Sequence, residues 1–308
     1  MVEKPDYKTI IQEIEDELKN IQAEGKVASY IPELAKVDPN KFAFHISTID
    51  GENYGIGNVD EKFSIQSIAK VFSLTLAYKL NGEDIWKRVG VEPSGNPFNS
   101  LIQLEQENGI PRNPLINSGA LVICDILYEI LGNPKVDLLN FIREIADNPS
   151  IEYNIKVANS EKKTGYRNSA LINLMRSFGN ISSDINDILD FYFHLCSVEM
   201  NVKELSKAFL IYSNHGKSPG KDKEIITPLM AKRVNAIMHS CGFYDEAGEF
   251  SFKVGLPGKS GVGGGIAAIY PAKYSVAVWS PRLNPKGNSY LGMKALQLLT
   301  AKTKRSIF

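Results

Sequence analysis

The stretch Phe63-Ser64-Ile65-Gln66-Ser67-Ile68-Ala69-Lys70 decides how the rest of the chain is read. It leads into an apolar run, Val71-Phe72-Ser73-Leu74-Thr75-Leu76, and the spacing predicts a buried helix over 67–79. Residues three apart share a helix face, so the Lys70 amine comes within reach of the Ser67 hydroxyl. A serine hydroxyl is a poor nucleophile until a neighbour takes its proton, and burial or a nearby cation favours the neutral amine that can do so. The pair points to acyl transfer without histidine, metal or cofactor. A plain helix start, with Ser64 as cap and Lys70 snorkelling to solvent, explains the same letters.

Outward from this stretch the periodicity changes. On the N-terminal side, Ile10, Ile11, Ile14, Leu18 and Ile21 form a helical stripe over about 7–22. A short helical turn is expected over 33–38, between Pro32 and Pro39. Residues 42–49 read as a strand, Asp50-Gly51 as a hairpin turn and 53–57 as its return. On the C-terminal side the period is helical over 117–131, 136–145, 168–178, 183–196, 202–212 and 228–239, the last with Pro228 in its first turn. Strand character returns over 249–256, 265–270 and 274–280, and a helix over 291–301 follows. A doubly wound sheet needs regular alternation of strand and helix, which is absent. The expected class is α+β: an antiparallel sheet flanked by terminal helices, with a large all-helical region inserted. The sheet part spans about 1–62 and 246–308, the helical part about 63–245, within one catalytic domain of 308 residues.

Composition bounds the function. The chain is 43% hydrophobic and 23% charged, enough for a large core. Its 35 basic and 35 acidic residues cancel, and without a polybasic run no nucleic-acid partner is expected. The polar start Met1-Val2-Glu3-Lys4-Pro5-Asp6 lacks a signal-peptide core, and no segment is long and apolar enough to span a bilayer. No membrane partner and a cytoplasmic location are therefore expected. Cys124, Cys196 and Cys241 read as reduced core thiols. His45, His194, His215 and His239 show no metal-ligand spacing, so neither a metal nor a cofactor is expected.

Ser-x-x-Lys alone is weak, since about one chance match is expected in a chain of this length. Three occur: Ser67–Lys70, Ser160–Lys163 and Ser218–Lys221. Ser218-Pro219-Gly220-Lys221 is turn chemistry, and Ser160 to Lys163 reads as a charged polar loop. Enzymes with this pair often carry Lys-[Ser/Thr]-Gly on a facing strand. Lys163-Thr164-Gly165 falls in the polar loop, whereas Lys259-Ser260-Gly261 lies between two predicted strands of the C-terminal sheet. It continues as Val262-Gly263-Gly264-Gly265, where glycines let a backbone approach a ligand. The usual Ser-Asp-Asn is absent, Ser183-Asp184-Ile185 being a partial match. Tyr244 can supply a phenol for proton transfer, although a packed aromatic explains it equally.

Together these segments resemble the serine-dependent glutaminases of bacterial type, which share the β-lactamase/transpeptidase-like fold. The resemblance covers nearly the whole chain: Lys26 to Pro32, Phe63 to Lys70, Gly90 to Asn99, Asn113 to Ala120, Ser160-Glu161, Arg167-Asn168, Asp190 to Phe193, Met238 to Tyr244 and Gly255 to Val262. The family's usual Ala stands here as Ser118 and Gly258, and its usual Asp as Ser29. The resemblance implies hydrolysis of the side-chain amide of L-glutamine. Ser67 would be the nucleophile, Lys70 its base and Tyr244 a member of the proton relay. The N–H groups of Ser67 and Val262 would hold the oxyanion. Asn117, Glu161, Asn168, Tyr192 and Tyr244 would contact the substrate, with Tyr30 and Gln66 as secondary contacts. Lys259, with Ser260 and Gly261, would support the site and tune its field. A homotetramer is the usual form in the family. A carboxylate at Glu161 suits the substrate ammonium, and neutral donors at Asn117, Asn168 and Tyr192 suit its carboxylate.

Three rival readings stand beside this one. A penicillin-recognising β-lactamase or D-Ala-D-Ala peptidase usually acts outside the cytoplasm and carries Ser-Asp-Asn. A non-catalytic ligand sensor of the same fold need not keep Ser67, Lys70 and Tyr244 together. A cysteine amidotransferase needs a paired cysteine and histidine, and no such pairing is visible.

Overall fold

In the computed structural model, residues 5–22, 24–95, 99–218, 220 and 223–308 are described. Strands β1 (Ala43–Thr48) and β2 (Asn53–Gly57) form the hairpin that Asp50-Gly51 announces, with Gly51 in the left-handed region at φ 89°. Short strands β3 (Phe63–Ser64), β4 (Glu152–Tyr153), β5 (Val198–Met200), β6 (Lys217–Ser218) and β7 (Lys223–Glu224) follow. Strands β8 (Gly258–Gly261), β9 (Gly265–Tyr270) and β10 (Tyr274–Trp279) close the chain's sheet. The main sheet is antiparallel with order β2-β1-β10-β9-β8, so both ends of the chain meet where β1 pairs β10.

Alternation along the strands assigns the two faces. Phe44, Ile46, Val276 and Val278 point to one side, against helices α1 (Tyr7–Lys19) and α12 (Tyr290–Thr303). Ala43, Ala277 and Trp279 belong to the other core, shared with the inserted helices. Those begin with α2 (Ala69–Asn81) and α3 (Leu101–Gln106), and continue through α4 (Asn117–Ile130), α5 (Pro134–Ala146), α6 (Ile155–Thr164), α7 (Tyr166–Ser177), α8 (Ile185–Cys196), α9 (Val202–Ser213) and α10 (Pro228–Cys241), whereas α11 (Ala247–Lys253) buries Ala247 and Phe250 in the first core. Every residue of α2 from Ala69 to Tyr78 is buried, as expected of a helix apolar on all sides. Among the described residues, no helix is long and apolar enough to cross a membrane.

The structure corrects several local expectations. Residues 249–256 are not a strand: α11 occupies their first half. The alternation of Phe250, Phe252 and Val254 imitates a strand, but Phe252 is 90% exposed while Phe250 and Val254, four apart, are buried. The sheet's edge is instead Lys259-Ser260-Gly261 itself, on β8 rather than between strands. The polar loop expected around Ser160 is α6, capped by Asn154, whose side chain accepts from Val157 N at 3.0 Å. Lys163-Thr164-Gly165 is therefore a helix end. The inserted region is not wholly helical, since β3, β5 and β4 form a small sheet within it. Of the Ser218–Lys221 match, Ser218 ends β6, and Pro219 and Lys221 lie outside the described residues, as do 96–98 of the Gly90–Asn99 block.

Candidate active site

Ser67 sits on a tight 3-10 turn, Gln66–Ile68, and α2 begins only at Ala69. Gln66 adopts φ 51°, an uncommon conformation for a residue with a Cβ, and so turns the chain sharply before Ser67. Ser64 does not cap the helix. Its hydroxyl donates to Cys196 O at 2.9 Å and accepts from Gln66 Nε2 at 3.0 Å. The end of β8 packs onto this strap at a distance only glycine permits: a Cβ on Gly261 would lie 2.5 Å from Ile65 O. That approach brings Val262 beside Ser67.

A cavity of about 250 Å³ opens there. Tyr30, Gln66, Ser67, Asn117, Glu161, Asn168, Tyr192, Tyr244 and Val262 all line it. Every substrate-contacting residue implied by the resemblance thus falls on one concavity, although these nine residues come from eight segments of the chain. Lys70, Lys259, Ser260 and Gly261 are buried and do not line it. Sequence reasoning missed Asn99, Thr164, Gly165, Arg167 and Cys196 on the same wall. Thr164 lies three residues after Glu161, so helical spacing offered a signal for it, whereas Arg167 is adjacent to Asn168 and spacing offered none. Asn99 offered none.

Lys70 is fully buried and does not snorkel. Its Nζ donates to Asn117 Oδ1 at 2.6 Å and to Leu115 O at 3.3 Å, and Asn117 Nδ2 donates in turn to Asn168 Oδ1 at 2.9 Å. The side chain bonded to the Ser67 hydroxyl is Tyr244, itself held at φ 56°. Lys259 Nζ, also fully buried, lies 4.1 Å from the Tyr244 ring centroid and donates to Gly242 O at 2.9 Å and Ser260 O at 2.6 Å.

These placements set the electrostatics. Burial alone raises the Tyr244 phenol, but the charges of Lys259 and Lys70, with hydrogen bonds from Ser67 and Lys259, outweigh it and bring it down to about 8. Burial, reinforced by Lys70, lowers Lys259 to about 8 against the opposing pull of Tyr244. Glu161 is a buried helix residue rather than a solvated loop carboxylate. Burial pushes it up to about 7, opposed by a hydrogen bond from Gln66 and the charge of Lys70. Cys196 lines the cavity, yet burial pushes its thiol up to about 12, the wrong direction for a nucleophile. No histidine lines this cavity among the described residues.

The family model for Glutaminase matches residues 25–308. The chain belongs to the glutaminase family. The glutaminase of Saccharophagus degradans is 58% identical over 303 residues, covering 98% of this chain and 99% of its own. That of Christiangramia forsetii is also 58% identical, covering 98% and 100%. Among solved structures, "Probable glutaminase ybaS" superposes with a TM-score of 0.92 at 31% identity over 99% of both chains. Mglu in its glutamate form superposes at 0.89 and 29% identity, covering 99% of this chain and 69% of that one. The glutaminase-family fold expected from the sequence, sheet plus inserted helices, is the fold observed.

Proposed function

We propose that this glutaminase-family chain hydrolyses the side-chain amide of L-glutamine to L-glutamate and ammonia through a γ-glutamyl ester on Ser67. The observation that carries this reading is the Ser67–Tyr244 hydrogen bond, with the phenol held near 8 by two buried lysines, in a cavity that also holds Glu161. Tyr244 is the immediate proton acceptor. Lys70, the base on the sequence reading, works in the same relay: it stabilises the phenolate while anchored by Asn117 and Leu115. The Ser67 oxygen bonds to the amide carbon, and its proton passes to Tyr244. The oxyanion rests on the N–H groups of Ser67 and Val262, each worth about 3 kcal/mol of barrier. Tyr244 then gives its proton to the amide nitrogen, the C–N bond breaks and ammonia leaves. Water attacks the ester, its proton passes through Tyr244 to the Ser67 oxygen, and glutamate is released.

Glu161 pairs with the substrate ammonium, and Asn117, Asn168 and Tyr192 position its carboxylate. Tyr30 and Gln66 are secondary contacts, and Lys259 on the Ser260-Gly261 strand holds down the phenol. No cofactor enters these steps. We further propose that the whole chain, 1–308, works as one catalytic domain and assembles as the homotetramer usual in the family. Its three buried, unpaired cysteines suit the reducing cytoplasm. Ammonia release from purified protein and L-glutamine, compared with Ser67→Ala, tests the mechanism. The variant should lose steady-state turnover while keeping its fold, and equal rates would refute Ser67 as nucleophile.

A further inference from the structure

Two residues after Tyr244 stands Glu246, only 5% exposed. Among the described residues its carboxylate forms no ion pair. It accepts from Asn284 Nδ2 at 2.9 Å on one oxygen and 3.0 Å on the other, and from Asn288 Nδ2. The loop it grips is rigid on its own account. Asn284 Oδ1 accepts from Lys286 N and Asn288 N, both at 3.0 Å, and Gly287 N donates to Asn284 O at 2.9 Å. That loop runs directly into α12 through the capping residue Ser289, which donates to Ser280 O at 2.7 Å.

Tyr244 needs such an anchor. A residue with a Cβ at positive φ, as Tyr244 is at 56°, is strained and persists only when its surroundings impose it. The N-terminal side of the turn is clamped. Gly242 O accepts from Lys259 Nζ and from Ser260 N at 3.3 Å, and Phe243 stacks on Phe250 at 3.6 Å. Glu246 N donates to Phe243 O at 2.9 Å, closing the turn. Ala247 N also donates to Tyr244 O, and Lys286 Nζ to Asp245 O at 3.5 Å; the buried side chain that ties this end of the turn to the 284–288 loop is the Glu246 carboxylate.

We infer that Glu246 is a positioning residue for Tyr244: its buried carboxylate, bound by Asn284 and Asn288, fixes the turn that presents the phenol to Ser67. This rests on the proposed role of Tyr244. Glu246 does not line the cavity and acts through the backbone of its turn. The charged groups around the turn are Lys259 and Lys70 at the phenol, with Asp245, Lys253, Lys286 and Glu249, which pairs with Lys253 and Lys286.

The test is Glu246→Gln, which keeps the size but sets an amide N–H against amide donors, alongside Asn284→Ala and Tyr244→Phe. Positioning predicts that kcat falls about ten- to a hundredfold in both Glu246→Gln and Asn284→Ala. KM for glutamine should stay within about twofold, and the alkaline-rising limb of kcat should move up toward the ordinary tyrosine value of about 10. The double variant should be no slower than the worse single, because both act through one contact. A role confined to stability predicts a lower Tm with kcat and the limb unmoved. That result in folded Glu246→Gln, or in Asn284→Ala should the first not fold, overturns the inference. Full activity in Tyr244→Phe would remove the underlying reading instead, so the two failures are distinguishable.

Discussion

Glu161→Gln should make the substrate-free protein more stable and the enzyme worse. Burial holds the Glu161 carboxyl at about 7 against an ordinary 4.5. The sign follows from which state keeps the proton. Below pH 4.5 both folded and unfolded chains are protonated, and the group contributes no difference. Between 4.5 and 7 the unfolded chain ionises while the folded one does not, so stability is lost as pH rises. Above 7 the full cost is present. At 1.36 kcal/mol per pKa unit that cost is about 3 kcal/mol. With an unfolding entropy of about 2.1 cal/mol/K per residue, it corresponds to about 5 °C in Tm. Glutamine at this position keeps an oxygen to accept from Gln66 but carries no charge to desolvate. Thermal unfolding of both proteins from pH 4.5 to 8 reads the effect: the curves should coincide at the acid end and separate, with the variant higher, by pH 8. Ammonia release should show kcat/KM down by about a hundredfold, since the substrate ammonium loses a buried charge-assisted partner. Parallel stability curves across that pH range would mean Glu161 is solvated and the reasoning fails.

Two further outcomes follow from the site. Lys259→Met removes the largest charge holding the phenol down, so the limb at which kcat rises with pH should move upward from about 8. If it reaches the ordinary value of about 10, the phenolate fraction at pH 8 falls about fiftyfold, and an unmoved limb in the pH–rate profile would contradict the Lys259–Tyr244 coupling. Gly261→Ala places a Cβ against Ile65 O, a backbone atom that cannot swing away. It should cost about 1–3 kcal/mol in denaturant unfolding and lower kcat by shifting the Gln66–Ser67 turn, and wild-type values in both assays would show that the strap yields freely.

Strands whose alternation is unambiguous and helices with a sustained apolar stripe are legible in the order of residues, because both signals are local. That order also singled out Ser67 and Lys70, since a buried helix following the pair separates it from its two copies. It misread residues 249–256, where three apolar residues at period two hide a helix that buries only two of them. It misread α6 as a loop because the helix is polar on its exposed face, and with it the burial that raises Glu161. Spacing brought Lys70 toward Ser67; the fold adds that Lys70 is anchored on Asn117 and Leu115 and that Ser67 is hydrogen-bonded to Tyr244. That arrangement depends on a left-handed Tyr244, on Gly261 admitting β8 against the strap, and on the burial of two lysines. None of these is a local property. Residue types and their order carry the chemistry that is possible, while proton affinities are set by groups far apart in the chain that only packing brings within a few ångströms.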